Sequence, residues 1–139
     1  MHKMLYNTLV HVVFGLIAGV IYLIIELAWR GYTHWTMMIL AAVVFVCAGI
    51  LDELDKPLKK WQQVIIGTII ATALEFVTGI IVNLWLGLDV WDYSDQPGNI
   101  LGQICPTFTL AWTFLMIISI KLENFMHTVA NKIFKTDIN

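Results

Sequence analysis

The 139 residues are 59% hydrophobic and only 13% charged, with a formal net charge of -2 and a mean hydropathy of +0.79; soluble chains average about 45–50% apolar and about 25% charged. A soluble core of this length cannot hide so much apolar surface, whereas a bilayer accepts it, so the chain reads as one integral membrane domain, residues 1–139. Its eight Lys and Arg form no basic groove, and no nucleic-acid partner is expected.

Cys47 and Cys105 show neither CxxC nor Cys/His ligand spacing, so no disulfide framework, metal site or cofactor is expected. One lysine precedes the first apolar run, as in a signal peptide. The run continues to Trp29, too long for an ordinary h-region, and no small-x-small site closes it, so it reads as an uncleaved helix.

That first helix is expected from about Asn7 to Trp29, long enough at about 1.5 Å per residue to cross about 30 Å of hydrocarbon. Gly15, Gly19, Tyr22, Glu26 and Arg30 lie along one of its faces. The two glycines form a small-xxx-small pair suited to close helix approach, within the protomer or between copies. Glu26 and Arg30 stand at i, i+4 in the favourable acid-before-base order. The short turn at Arg30 to Thr33 sends a second helix, about 34–51, back antiparallel. Trp29, Tyr32 and Trp35 cluster there as interfacial aromatics do, and His34 joins Glu26 and Arg30 as a candidate ligand-facing group.

The charged segment Asp52 to Trp61 reads as a solvated loop, with Pro57 suited to the first turn of the next helix. A third helix is expected over about 63–86. Within it Gly67, Ala71, Glu75, Gly79 and Asn83 form one i, i+4 row of small and polar residues. A carboxylate near the middle of an apolar helix costs about 2.5 to 3.5 kcal/mol on insertion scales, so Glu75 should face the bundle and be paired, protonated or cation-bound. The connector Gly87 to Asn99 carries Asp89, Asp92 and Asp95 with Trp91 and Tyr93 and no basic residue. Pro97 and Gly98 make a turn, and Asn99 is placed to cap a fourth helix, about 100–122, kinked early by Pro106. An amphipathic tail, 123–135, sets Leu122, Phe125, Met126, Val129, Ile133 and Phe134 against Lys121, Lys132 and Lys135; it lies on the membrane or extends the fourth helix.

The fold class is thus all-α, four transmembrane helices and a C-terminal amphipathic helix. With both termini cytoplasmic, every lysine falls inside and only Arg30 outside. That orientation gathers Glu26, Arg30, His34, Asp92 and Tyr93 on the outer side, above Glu75.

Over Leu74 to Trp112 the elements LEFVTG, WDYS, the Pro97 to Asn99 turn, Gly102 to Cys105 and the Trp of the last helix resemble the bacterial family of small membrane proteins called putative ABC-transporter type IV. The first half keeps an intramembrane Glu followed by an Arg-Gly pair, here Glu26 and Arg30-Gly31. It departs from the family pattern where His34-Trp35-Thr36-Met37 replaces a Pro-x-Tyr-Gly element. The resemblance implies a multi-pass protein of the bacterial cell membrane associated with transport. No GxxxxGK[ST] loop is present, so an ATPase would be a separate chain.

Three functional readings remain. In the first, a transport or ligand-binding component takes a cationic or amphiphilic small molecule on Glu26, Arg30, His34, Glu75, Asn83, Trp91, Asp92, Tyr93 and Asn99. In the second, a noncatalytic assembly or regulatory subunit uses the same polar residues for structure, as a homo-oligomer or beside a partner membrane subunit. In the third, a membrane enzyme acts on a lipid-linked substrate, although no nucleophile–base pair or metal-ligand motif supports one.

Overall fold

The computed structural model describes residues 2–52 and 58–136, with side chains over 8–51 and 58–133. Pro57 and most of the charged loop expected around it lie outside the described residues. Within them the protein is all-α, with four helices and no strand. Helix α1 spans His2–Arg30, α2 Trp35–Asp52, α3 Lys60–Gly79 and α4 Pro106–Thr136. Three segments are long and apolar enough to cross a membrane: Thr8–Arg30, Lys60–Trp85 and Pro106–Ile133. Trp35–Leu51 on α2 is equally apolar in character but shorter.

Apolar side chains cover the outside of this bundle, as expected of helices solvated by lipid. On α1 alone Leu9, Val12, Val13, Leu16, Ile17, Val20, Ile24 and Leu27 are exposed. Trp29, Tyr32, Trp35 and Trp85 are exposed at one end and Trp61 at the other, the two levels at which interfacial aromatics sit.

Helix α1 stops where Gly31 takes φ 77, a left-handed conformation that favours glycine. The chain then returns as α2. An added Cβ on Gly15 would sit 2.9 Å from Val46 Cγ2, and one on Gly19 would sit 2.8 Å from the Met38 carbonyl oxygen. The small-xxx-small face is therefore occupied by α2 of the same protomer. Gly19→Ala is expected to push the hairpin apart and destabilise it by about 1–3 kcal/mol, measurable by steric trapping or graded detergent unfolding. Gly31→Ala, by contrast, meets no atom and strains only the turn.

Helix α2 is central: it packs on α1, α3 and α4, and its Met37, Leu40, Val44 and Ala48 enter the core with Ala71, Trp91, Trp112, Met116 and Ile120. By contrast, α1 packs most extensively on α2 and meets α4 through ring contacts, Tyr22 on Trp112 and Phe14 on His127. A lateral cleft is left between α1 and α4, floored by α2.

Helix α1 begins at His2, five residues before the expected start, and the third and fourth helices also depart from the sequence expectation. Helix α3 begins at Lys60, three residues early, because Gln62 Oε1 accepts the Lys59 backbone N–H at 2.9 Å and so anchors the first turn. Its last stretch, Ile80–Trp85, is π-helical, with the Leu86 N–H donating to the Ile81 carbonyl at 2.9 Å. Helix α4 begins at Pro106, not at residue 100, so Pro106 starts the helix and does not kink it. Proline suits that place because its missing N–H would have had no helical partner there.

The tail is continuous with α4, the second of its two expected arrangements. Phe125, Val129 and Ile133 are exposed while Glu123 is 3% exposed. In a lipid-solvated helix the apolar face looks outward, and the polar residue is the one that needs the bundle.

Candidate functional site

The row Gly67, Ala71, Glu75 and Gly79 is buried, facing the bundle as its spacing requires. Glu75 is 2% exposed. Its Oε1 accepts the Tyr93 hydroxyl at 2.9 Å, and its Oε2 accepts Trp112 Nε1–H at 2.7 Å. Both carboxylate oxygens are thus held, one by the connector and one by α4. Burial, then the nearby Glu75 charge, pushes the Tyr93 hydroxyl above its ordinary range, so it remains a donor.

The connector reaches Glu75 because a polar clip folds it back over α3. Asn83 Oδ1 accepts the Val90 N–H at 2.7 Å and its Nδ2 donates to Gln103 Oε1 at 2.8 Å. Trp91 Nε1–H donates to the Gln103 carbonyl at 3.0 Å. Gly79 makes room for the clip: a Cβ there would lie 2.5 Å from Gln103 Oε1 and 3.0 Å from Trp91 Cζ2. Beyond the clip, the Tyr93 N–H donates to the Gly102 carbonyl at 2.7 Å. Asn99 closes the loop by donating to the Ser94 and Gln96 carbonyls and accepting the Gly102 N–H. It caps no helix, because α4 starts seven residues later.

Asp92 lies at the surface of this loop. Its Oδ1 accepts both the hydroxyl and the backbone N–H of Ser94, which hold its carboxyl below the usual carboxylate range. His34 also has a local task. Its Nδ1 accepts the Thr36 N–H at 3.3 Å and contacts Thr36 Oγ1 at 2.7 Å, capping the first turn of α2.

Glu26 and Arg30 are different. Glu26 is 7% exposed and pairs with the Arg30 guanidinium while accepting the Thr33 hydroxyl at 3.2 Å. Arg30 also donates to the Val90 carbonyl at 3.2 Å, tying α1 to the connector, and stands 4.4 Å from the Tyr32 ring centroid. Both residues line a cavity of about 380 Å³ at the Arg30 end of the cleft. Trp29 and Ile25 on α1, Met37 on α2, Trp91 and Tyr93 on the connector, and Phe108, Ala111, Phe114 and Leu115 on α4 complete its wall. Tyr93 and Phe108 stack with centroids 4.4 Å apart. Further down the cleft a smaller cavity of about 70 Å³ begins at Tyr22, Ile25 and Leu115, which line both. The Tyr22 ring stacks on Trp112 at 6.0 Å and bridges the cleft between the two.

The three carboxylates therefore do not converge. Of the nine residues singled out in the sequence, Glu26, Arg30, Trp91 and Tyr93 meet at one cavity. Glu75 stands behind Tyr93 and Trp112, Asn83 and Asn99 shape the connector, and Asp92 and His34 serve local turns. Gln103, Trp112, Tyr22 and Phe108 complete the arrangement. In the sequence Tyr22 already shared a helix face with Glu26 and Arg30, and Gln103 and Trp112 fell within the elements that carry the family resemblance; no pattern singled out Phe108.

A second cluster of ionisable groups, at the amino-terminal end of the bundle, brings together His11, Glu123 and His127.

The family model described as Putative ABC-transporter type IV matches residues 1–138. The chain belongs to this family. No curated protein and no solved structure matches it. Membership, with helices of membrane-spanning length, makes this an ABC-transporter-related multi-pass membrane protein in lipid contact. The family match extends through α1 and α2, so the His34-Trp35-Thr36-Met37 departure falls inside the matched region.

Proposed function

We propose that the protein is a ligand-binding membrane component of a transport system. Its cavity at the Arg30 end would hold an amphiphilic molecule, head against Glu26 and Arg30 and apolar chain along the α1–α4 cleft. The observation that carries this reading is the form of the cavity: an aromatic chamber of about 380 Å³ with a half-buried ion pair in its wall, opening along a lateral apolar cleft. That volume lies within the range of small-molecule sites, and apolar walls with few polar groups are their usual lining.

The ion pair favours an amphiphile over a simple cation. Glu26 is already neutralised by Arg30, and Glu75 has both oxygens engaged, so no bare carboxylate faces the chamber. Arg30 Nε is buried and has no hydrogen-bond partner among the described residues. A buried donor of this kind calls for an acceptor, and a phosphate or carboxylate oxygen of the ligand head supplies one.

In the same reading α2 is the fourth crossing, both termini are cytoplasmic in a bacterial cell membrane, and the chamber opens to the outer leaflet. The lysine distribution supports that orientation. ATP hydrolysis, where it powers the system, belongs to a partner subunit. Ala111→Trp tests the site because an indole at Ala111, on the chamber wall, takes up chamber volume while Glu26, Arg30 and Glu75 stay as they are. Binding of a fluorescent zwitterionic phospholipid analogue to protein in nanodiscs should weaken at least about 10-fold, the scale of losing roughly 1.4 kcal/mol of contact. Unchanged binding by a folded Ala111→Trp variant refutes the reading.

A further inference from the structure

The cluster of His11, Glu123 and His127 lies far from this chamber, roughly 28 Å along α1 from Arg30 at about 1.5 Å per residue. One ligand atom from each residue lies within 4.8 Å of the others. The three side chains come from two helices: His11 from α1, and Glu123 with His127 one turn apart on α4. His127 Nε2 stands 2.6 Å from Glu123 Oε1, and the His11 and His127 rings meet edge to face at 5.8 Å.

A third helix leaves space for the group. A Cβ on Gly49 of α2 would sit 3.2 Å from Glu123 Oε1 and 3.4 Å from His11 Nε2. Phe14 packs its ring edge-on to His127 at 5.3 Å and shields that side. Glu123 is 3% exposed, so its carboxylate is held in the interior, where a charge needs strong compensation. One histidine in an ion pair meets part of that need. His11, a second imidazole converging from another helix, completes a two-nitrogen, one-oxygen donor set.

We propose that His11, Glu123 and His127 bind a divalent first-row transition ion that clamps α1 to α4. Two imidazoles and a carboxylate are the donors such ions take, with zinc bonded at about 2.0–2.2 Å to each and a fourth position left for water. Tetrahedral bonds of that length put ligand atoms about 3.3 Å apart, which side-chain rotation reaches from the observed separations. The clamp would add a bond between α1 and α4 to the ring contacts of Phe14 with His127 and Tyr22 with Trp112, which already join the two helices across the cleft. Occupancy would fix the splay of the two cleft walls from the end opposite the chamber. The clamp does not depend on the chamber holding an amphiphile.

The test uses the whole protein, purified through a tag without histidines, stripped with chelator and titrated with zinc chloride. One zinc per chain is expected. Glu123→Gln and His11→Gln should each weaken binding by at least about 100-fold, since loss even of outer-shell support costs 10–100-fold. His127→Cys keeps three ligands, so with cobalt(II) it should bind one ion and gain a thiolate-to-metal charge-transfer band absent from wild type. Circular dichroism and elution volume report folding of each variant. Zinc no higher in wild type than in buffer overturns the proposal, as does equal affinity in folded Glu123→Gln and His11→Gln. If those variants do not fold, a cobalt complex of His127→Cys without the thiolate band overturns it as well.

Discussion

Glu75→Ala is expected to destabilise the protein by about 2–5 kcal/mol, because it strips the acceptor from two donors at once, each costing about 1–3 kcal/mol when left unpaired in the interior. The orphans would be the Tyr93 hydroxyl and Trp112 Nε1–H, the first on the connector and the second on α4. Their loss should release the connector from α3, so hydrogen exchange ought to rise over residues 90–94 before it rises elsewhere. Glu75→Gln keeps a carbonyl acceptor for one donor and should lose less than half as much. Adding Tyr93→Phe to Glu75→Ala should recover part of the loss, since it removes one orphan. Because Glu75 does not line the chamber, Glu75→Gln should also leave amphiphile affinity within about twofold of wild type. A cation site on Glu75 predicts the opposite, abolished binding by the same folded variant.

The second large effect is expected at Arg30. Arg30→Ala leaves Glu26 buried with the Thr33 and Tyr22 hydroxyls in place of its cation, and unpairing a buried charge costs about 3–5 kcal/mol; the low end applies because these hydroxyls remain and Arg30 keeps 21% of its side-chain exposure. The variant also removes the link from α1 to the Val90 carbonyl. Glu26→Gln with Arg30→Ala should therefore be more stable than Arg30→Ala alone, by about 1–2 kcal/mol in a double-mutant cycle. Amphiphile binding should stay weak in both, since neither presents the guanidinium to the ligand head. Thermal or detergent unfolding measures the first effect and nanodisc binding the second.

The parts of this architecture legible in the sequence are those set by local periodicity. The i, i+4 row through Glu75 had to face the bundle, because a helix that is otherwise apolar can hide a carboxylate nowhere else. The Gly15 and Gly19 pair called for a close neighbour, and the short turn at Gly31 made α2 that neighbour. Glu26 and Arg30 were paired by spacing alone.

What the sequence leaves open is set by long-range meetings. Trp112 lies 37 positions from Glu75, and no local pattern joins them. The connector read as an acidic, aromatic segment above Glu75, but no local pattern showed that Asn83 and Gln103 turn its backbone inward and carry Tyr93 to Glu75. That folding leaves Asp92 outside while its neighbours Trp91 and Tyr93 enter the wall. The tail's apolar stripe left two arrangements open, on the membrane surface or extending the fourth helix; it extends α4, with Glu123 on the packed face and Phe125, Val129 and Ile133 outward. The i, i+4 spacing of Glu123 and His127 was the available signal, and it acquires meaning only when α1 brings His11 beside it.

On the function proposed above, the chamber at Glu26 and Arg30 admits an amphiphile through the α1–α4 cleft. Photocrosslinking measures this most directly. The protein is reconstituted in nanodiscs with a trace of a phospholipid carrying a diazirine near its head, irradiated, digested and mapped by mass spectrometry. Adducts should concentrate on Trp29, Phe108 and Phe114 and disappear from them in Ala111→Trp. Labelling of those residues no stronger than that of Ile65 and Ile69, exposed on α3 away from the cleft, would contradict the account.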